Sequence, residues 1–145
     1  MRVVLLLILI FFALSACERR TNVVVRGQNP PTFELHGGGR LDEVLIFAPE
    51  QEAEAKLDPF SDKYAIWKIQ AANGDESSKT PIETIGTITY GVVPTGYYQT
   101  KPQVGQPPSL NEGKRYKYWF VTINAPWGTG YFEIREGKAI AVAGP

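Results

Sequence analysis

Thiol and imidazole side chains, which serve as nucleophiles, general bases and metal ligands, are scarce in this chain of 145 residues. Cys17 is the only thiol and His36 is the only histidine, so a zinc site with several histidine and cysteine ligands cannot be built. The sequence contains no Gly-x-Ser-x-Gly elbow, and no spacing suggests a Ser/His/Asp set. We therefore expect no catalytic residue, no metal site and no cofactor.

One stretch offers a different chemistry, because its carboxylates are close together in sequence. The acidic residues between positions 50 and 62 are Glu50, Glu52, Glu54, Asp58 and Asp62. Such oxygen ligands suit calcium, and two carboxylates can cleave a glycosidic bond when they are held ~5 or ~6.5–9.5 Å apart. No EF-hand spacing is present, and nothing in the sequence sets such a separation. A solvated loop is our preferred interpretation, and a small glycan-acting hydrolase is the alternative.

The surroundings of Cys17 suggest a separate task for its sulfur. One positive charge at Arg2 precedes an apolar run over residues 3–16, which ends in Leu14-Ser15-Ala16-Cys17. Fourteen residues fall short of the roughly 20 that a membrane-spanning helix needs, but they fit the apolar segment of a signal peptide. The order leucine, two small residues and cysteine resembles the lipobox of bacterial lipoproteins.

This resemblance implies a lipid anchor. In that family the cysteine sulfur receives a diacylglyceryl group, the chain is cut before the cysteine, and the new amino terminus is usually acylated with a fatty acid such as palmitate. Residues 1–16 would then be a signal peptide, and two or three acyl chains on Cys17 would anchor the protein stably, since each buried CH₂ contributes ~0.8 kcal/mol. In the enterobacterial members of that family, Asp directly after the cysteine favours retention in the inner membrane. This chain has Glu18 at that position, so the resemblance implies the outer membrane, with the domain facing the periplasm or the cell surface. A buried free cysteine and an uncleaved signal anchor are the alternatives.

The remainder of the chain has the composition of one small β domain. Removing residues 1–16 from 145 leaves 129 residues, and removing Arg2 from 15 basic residues leaves 14 against 15 acidic ones. This near-neutral balance gives no electrostatic case for a nucleic-acid partner. Without a second cysteine the core must hold without disulfides. Fourteen glycines and eleven prolines favour short strands and turns over helices.

Alternation of apolar and polar residues predicts seven or eight short strands in a domain at 32–145. The predicted strands lie at 32–36, 43–48, 63–69, 82–90, 97–100, 114–124, 130–136 and 139–143. Residues 17–31 are expected to be the acylated cysteine and a tether, in which Val23–Val25 is either extended chain or an edge strand. One or two helical turns are expected in 49–62, where Glu52 and Lys56 are four residues apart.

Three residues before and within the predicted strand at 114–124 suggest the type of β fold. Leu110, Gly113 and Tyr116 resemble the tyrosine corner of fibronectin type III and related immunoglobulin-like domains. In that motif the glycine permits a sharp turn, and the phenol hydroxyl makes a hydrogen bond with upstream backbone. Together with Trp67 on an early strand, the resemblance implies an all-β, immunoglobulin-like sandwich. A small barrel is the alternative.

Aromatic residues near predicted turns are the candidates for binding. Tyr97, Tyr98, Trp127 and Tyr131 could stack on sugar rings or anchor a protein partner. The alternative is structural: Trp127 folds back over the sandwich edge and Tyr98 enters the core. We expect a non-catalytic binding or assembly module of the bacterial envelope. A peptide that adds a strand at Val23–Arg26 or Ala139–Ala143 is a further possibility.

Overall fold

The computed structural model describes residues 19–48, 61–72, 74–75 and 79–144. These residues form nine strands and one short helix. In chain order the elements are β1 (Asn22–Arg26), β2 (Thr32–His36), β3 (Arg40–Phe47), β4 (Ala65–Ala71), α1 (Ile82–Ile85), β5 (Thr87–Thr89), β6 (Tyr97–Lys101), β7 (Arg115–Ile123), β8 (Gly128–Arg135) and β9 (Lys138–Val142). Within these ranges no helix is both long enough and apolar enough to cross a membrane.

The strands form two antiparallel sheets that pack face to face. The smaller sheet has the order β1-β2-β5, and the larger one has the order β6-β4-β3-β7-β8-β9. The all-β sandwich predicted from the alternating pattern is therefore confirmed. The number of strands is nine rather than seven or eight, because β1 is added to the counterparts of the eight predicted strands.

The core between the sheets is centred on Phe33 of β2, whose side chain is fully buried. Its ring lies 5.7, 5.3 and 5.6 Å from the rings of Tyr118, Phe120 and Phe132, which project from the opposing sheet. Trp67 on β4 is also fully buried, as its predicted place on an early strand implied. Burying one such large apolar side chain contributes roughly 1.5–3 kcal/mol, so these rings join the two sheets.

The first strand shows that the folded domain begins earlier in the chain than the sequence predicted. β1 pairs with β2 along its whole length, from Asn22 opposite His36 to Arg26 opposite Thr32, and Val25 is buried against the core. The sandwich therefore begins before residue 22, and not at residue 32 after a tether over 17–31. The apolar residues Val23–Val25 are a strand because one face of them has a core to pack against.

The predicted strand over 82–90 is wrong in its first half. Residues 82–85 form the helical turn α1, which Gly86 ends with a positive φ of 68°. The backbone N–H of Gly86 donates to the carbonyl of Ile82, 2.9 Å away. Ile82 and Ile85 are three residues apart, a spacing that puts both on the same side of a helix. Only Thr87–Thr89 continue as the strand β5.

The edges of the two sheets meet at one side of the sandwich. Gln28, just after β1, forms a bridge with Lys138 of β9. The backbone N–H of Ala139 donates to the carbonyl of Gly27 over 3.1 Å, and that of Asn29 donates to the carbonyl of Gly137 over 2.9 Å. Both edges that were candidates for an added peptide strand therefore lie on the same side, where part of each is already used.

Candidate functional site

The three residues of the predicted tyrosine corner lie together and have a structural role. Tyr116 is buried, and its phenol oxygen accepts a hydrogen bond of 2.8 Å from the backbone N–H of Asn111. Its ring stacks on Phe132 at 5.4 Å. Gly113 has a φ of +70°, which L side chains rarely adopt, and Leu110 is buried beneath the turn. The assignment of these residues to a tyrosine corner stays a prediction.

Two of the four aromatic candidates alternate on β6, and only one of them is available to a ligand. Tyr97 is buried, and its hydroxyl donates to the carbonyl of Leu41 over 2.9 Å. Burial raises the pKa of Tyr97 to about 12. Tyr98 points the other way and is 46% exposed. The structural alternative for this pair, in which Tyr98 entered the core, is therefore wrong. Tyr97 fills that place, because neighbouring residues of a strand face opposite sides.

The other two aromatic candidates lie on the outer face of the larger sheet. The ring of Trp127 is 6.3 Å from that of Trp119. The ammonium group of Lys117 lies 5.0 Å from the ring centre of Trp119 and 5.7 Å from that of Tyr131. Lys117 and Trp119 therefore connect Trp127 to Tyr131 through ring and cation–π contacts. The side chain of Trp127 is 36% exposed, so it folds onto the sheet and still presents a surface.

Trp119 belongs to a second apolar cluster, which the sequence analysis missed. It consists of Leu45, Phe47, Ala65 and Trp119, with Tyr64 and Val121 partly buried against it. The outer face of an antiparallel sheet is commonly polar. The apolar run Val44–Phe47 was the available signal, because consecutive apolar residues on a strand are buried on both faces.

A shallow groove runs along the edge of this cluster. Its volume is about 250 Å³, and we call it the Trp127 groove. The lining residues are Asp42, Glu43, Leu45, Trp119, Val121 and Trp127. An indole surface beside carboxylate oxygens can hold a flat ring or an apolar side chain and can accept hydrogen bonds from hydroxyl or amide donors.

The carboxylates of the groove are held by lysines. Lys79 donates to Asp42, and the ammonium group of Lys68 lies 3.0 Å from carboxylate oxygens of both Glu43 and Asp62. Burial disfavours the charged form of Lys68, but the hydrogen bonds that its ammonium group donates to Asp62 and Glu43 outweigh this effect and raise the pKa of Lys68. The hydrogen bond from Lys68 in turn lowers the pKa of Asp62, against the effect of burial.

This pairing bears on the alternative chemistry of the acidic stretch. Asp62 is the one member of that stretch within the described residues; Glu50, Glu52, Glu54 and Asp58 lie outside them. A general acid near neutral pH needs a raised carboxyl pKa, and that of Asp62 is lowered. Asp62 is therefore suited to hold Lys68 in place rather than to donate a proton to a leaving group.

The remaining candidates for chemistry are dispersed. His36 is exposed at the end of β2, and its nearest recorded acidic neighbour is Glu34, at 3.9 Å. Over the described parts of the chain, no three or more histidine, cysteine, aspartate or glutamate side chains are grouped so as to hold a metal ion. Cys17 and its neighbours Leu14, Ser15 and Ala16 lie outside the described residues, so their assignment stays a prediction.

Comparison of the chain with known proteins gives no match. No family model, no curated protein and no solved structure is detectably similar to it.

Proposed function

We propose that this chain is a lipid-anchored lipoprotein of the bacterial cell envelope and acts as a binding module without catalytic activity. The observation that carries the proposal is the position of the lipobox-like tetrapeptide. It ends at Cys17, and the first buried residue of the sandwich is Thr21, four positions later. A cysteine directly in front of a folded module is placed where an acyl group would attach that module to a bilayer.

An immunoglobulin-like relationship is part of the proposal. In the constant-type immunoglobulin fold, strands A, B and E share one sheet and strands C, F and G the other. The present chain has β1, β2 and β5 in one sheet and β3, β7 and β8 in the other, in the corresponding chain order. The hydrogen bond between Asn111 and Tyr116, at the start of β7, supports the same assignment.

The binding role is supported by the Trp127 groove. Tryptophan and tyrosine are enriched among residues that contribute most to protein interfaces, and exposed rings stack on sugars. An anchored module meets its partner at a raised effective concentration, so that a shallow groove is sufficient. We propose a glycan or a protein chain of the envelope as the partner.

The anchor is tested by replacing the sulfur. In its own host, Cys17→Ala should leave the sandwich folded and should move the protein from the membrane fraction to the soluble fraction. Ser15→Ala is the matched control, because it keeps a small residue in the tetrapeptide and should leave the protein on the membrane. Membrane association that Cys17→Ala does not change would refute the proposal.

The rival function is a glycan-acting hydrolase that uses the acidic stretch. Glu52→Gln and Glu54→Gln separate the two proposals, because an enzyme that depends on these carboxylates would lose turnover of envelope glycan. A binding module that uses the Trp127 groove would retain its affinity in both variants and would lose it in Trp127→Ala.

A further inference from the structure

The beginning of the folded chain is held tightly at one end of the sandwich. Thr21 is 3% exposed, and its hydroxyl lies 3.1 Å from the carbonyl of Gly38 and 2.9 Å from the hydroxyl of Thr122. Its backbone N–H donates to the carbonyl of Pro126 over 3.2 Å, and the N–H of Gly38 donates to the carbonyl of Arg19 over 3.1 Å. Arg19 to Thr21 are therefore fixed between two loops.

Glycines explain how this segment fits so closely. A Cβ atom added to Gly37 would lie 2.1 Å from the carbonyl oxygen of Arg20, and one added to Gly38 would lie 2.6 Å from that of Arg19. On the other side, a Cβ atom on Gly128 would lie 2.6 Å from the side chain of Val23. Real Cβ atoms do not approach so closely. The segment thus occupies a slot that larger residues would close.

Chain connectivity limits how far Cys17 can be from this end of the sandwich. We call it the N-terminal pole and define it by residues 19–21, 37–39 and 122–128. Cys17 precedes Arg19 by two residues, and consecutive Cα atoms are ~3.8 Å apart, so the two Cα atoms are at most about 8 Å apart. An acyl group on Cys17 therefore brings the bilayer to this pole. The opposite end is about 25 Å away, because the eight residues of β8 rise ~3.4 Å each.

The surface at this pole has the composition that a phospholipid headgroup region favours. Arg19 and Arg20 are exposed cations, and Trp127 presents part of its indole at the 124–127 turn. Tryptophan is enriched at the membrane interface, and arginine is attracted to anionic lipids. Glu83 lies 3.7 Å from Arg19 and offsets part of this charge. The carboxylate of Asp42, also near Trp127, is already bound by Lys79.

We infer that the N-terminal pole is a membrane-contact surface, on which Arg19, Arg20 and Trp127 face the phospholipid headgroups. This inference rests on the proposed lipid anchor. The sandwich stands on its N-terminal pole, and the turn around Gly137 faces away from the bilayer. One edge of the Trp127 groove then lies at the headgroup level, so that its partner approaches along the membrane plane.

The test measures the depth of single positions in the acylated protein. With Cys17 acylated, an introduced cysteine is the only free thiol. A thiol-reactive dye is attached at Pro126→Cys or Glu83→Cys near the N-terminal pole, or at Lys138→Cys at the far end. The protein is placed in vesicles of phosphatidylethanolamine and phosphatidylglycerol that contain a spin-labelled lipid. Both near positions should lose most of their fluorescence, and the dye at Lys138→Cys should keep it.

Two companion variants test the surface itself. With the dye at Glu83→Cys, the change Trp127→Ser should reduce the quenching, because it removes the interfacial ring. Ile140→Ser is the matched control, since Ile140 is an exposed apolar residue on β9, away from the pole, and its loss should leave the quenching unchanged. Equal quenching at the near and far positions would overturn the orientation while leaving the anchor intact. Failure of the wild-type protein to remain on vesicles would instead overturn the proposed anchor.

Discussion

The hydroxyl of Tyr97 offers a sharp test of how β6 is paired. It donates to the carbonyl of Leu41, a residue with no exposed surface, at 2.9 Å. The change Tyr97→Phe keeps the ring and removes the donor, so that a buried acceptor loses this partner. Such a loss costs about 1–3 kcal/mol. Tyr98→Phe is the matched control: it makes the same chemical change on the next residue, which is 46% exposed, and should cost less than about 0.5 kcal/mol.

Urea unfolding, followed by tryptophan fluorescence, measures both values. The variants are compared in the Cys17→Ala background, which carries no acyl group. For an m-value near 2 kcal/mol/M, Tyr97→Phe should lower the midpoint by about 0.5–1.5 M and leave m unchanged. The midpoint of Tyr98→Phe should stay close to that of the parent.

The reverse order of the two variants would refute this reasoning. A strand shifted by one residue exchanges the faces of all its side chains. If Tyr98→Phe were the more destabilising change, β6 would be paired one residue away from the register Ala71 opposite Tyr97. If neither variant changed the midpoint, the hydrogen bond to Leu41 would not stabilise the fold.

Three other changes test separate parts of the structure. Tyr116→Phe should lower the free energy of unfolding by about 0.5–1.5 kcal/mol. The loss should lie in the lower half of that range, since Asn111 is exposed and its N–H can bind water instead. An unchanged free energy in urea unfolding would show that the hydrogen bond between Asn111 and Tyr116 does not stabilise the fold. The pKa of Asp62 is lower in the folded chain than its ordinary 3.8, so the stabilising contribution of Asp62 is present above about pH 4 and is lost as the pH falls further. The midpoint temperature of thermal unfolding should therefore fall less between pH 5 and 3 in Asp62→Asn than in the parent. An equal fall in both proteins would contradict the pairing of Asp62 with Lys68. Gly39→Ala should destabilise the fold more than Gly113→Ala. Both glycines have a positive φ, but only at Gly39 does the new Cβ lie within 3 Å of another side chain, that of Ala125. Equal losses of unfolding free energy in urea would contradict the close packing at the N-terminal pole.

Local patterns were sufficient to predict most of the larger sheet. Strands β3, β4, β6, β7, β8 and β9 lie within a few residues of their predicted positions. Their side chains alternate because one face is buried, and turn residues such as Glu136-Gly137, both with positive φ, mark their ends. The hydrogen bond between Asn111 and Tyr116 was predictable for a similar reason, since it spans only five residues.

The parts that the sequence analysis missed depend on contacts between distant segments. Val23–Val25 form a strand because β2 pairs with them, and the residues themselves suit a tether equally well. At 82–85 the two isoleucines are three residues apart, and a segment of four residues is too short for this spacing to distinguish a helical turn from a strand. Whether Tyr97 or Tyr98 enters the core depends on the register of β6 against β4, which the sequence around them does not specify.

The candidate site was only partly predictable for the same reason. Trp127 and Tyr131 were recognised as aromatic residues near a turn, but the groove also needs Asp42 and Trp119, which are brought together by the pairing of β3 with β7. The ion pairs of Lys68 with Glu43 and Asp62 likewise join β4 to β3 and to the residues before β4. Spacing within one segment does not predict such an arrangement.

The mass of the amino-terminal peptide, from protein purified out of the envelope of its own host, tests the central claim most directly. The account predicts a peptide that begins at Cys17 and carries the added mass of a diacylglyceryl group, usually with a further acyl chain on the amino terminus. A peptide that begins at Met1 and contains an unmodified Cys17 would contradict it.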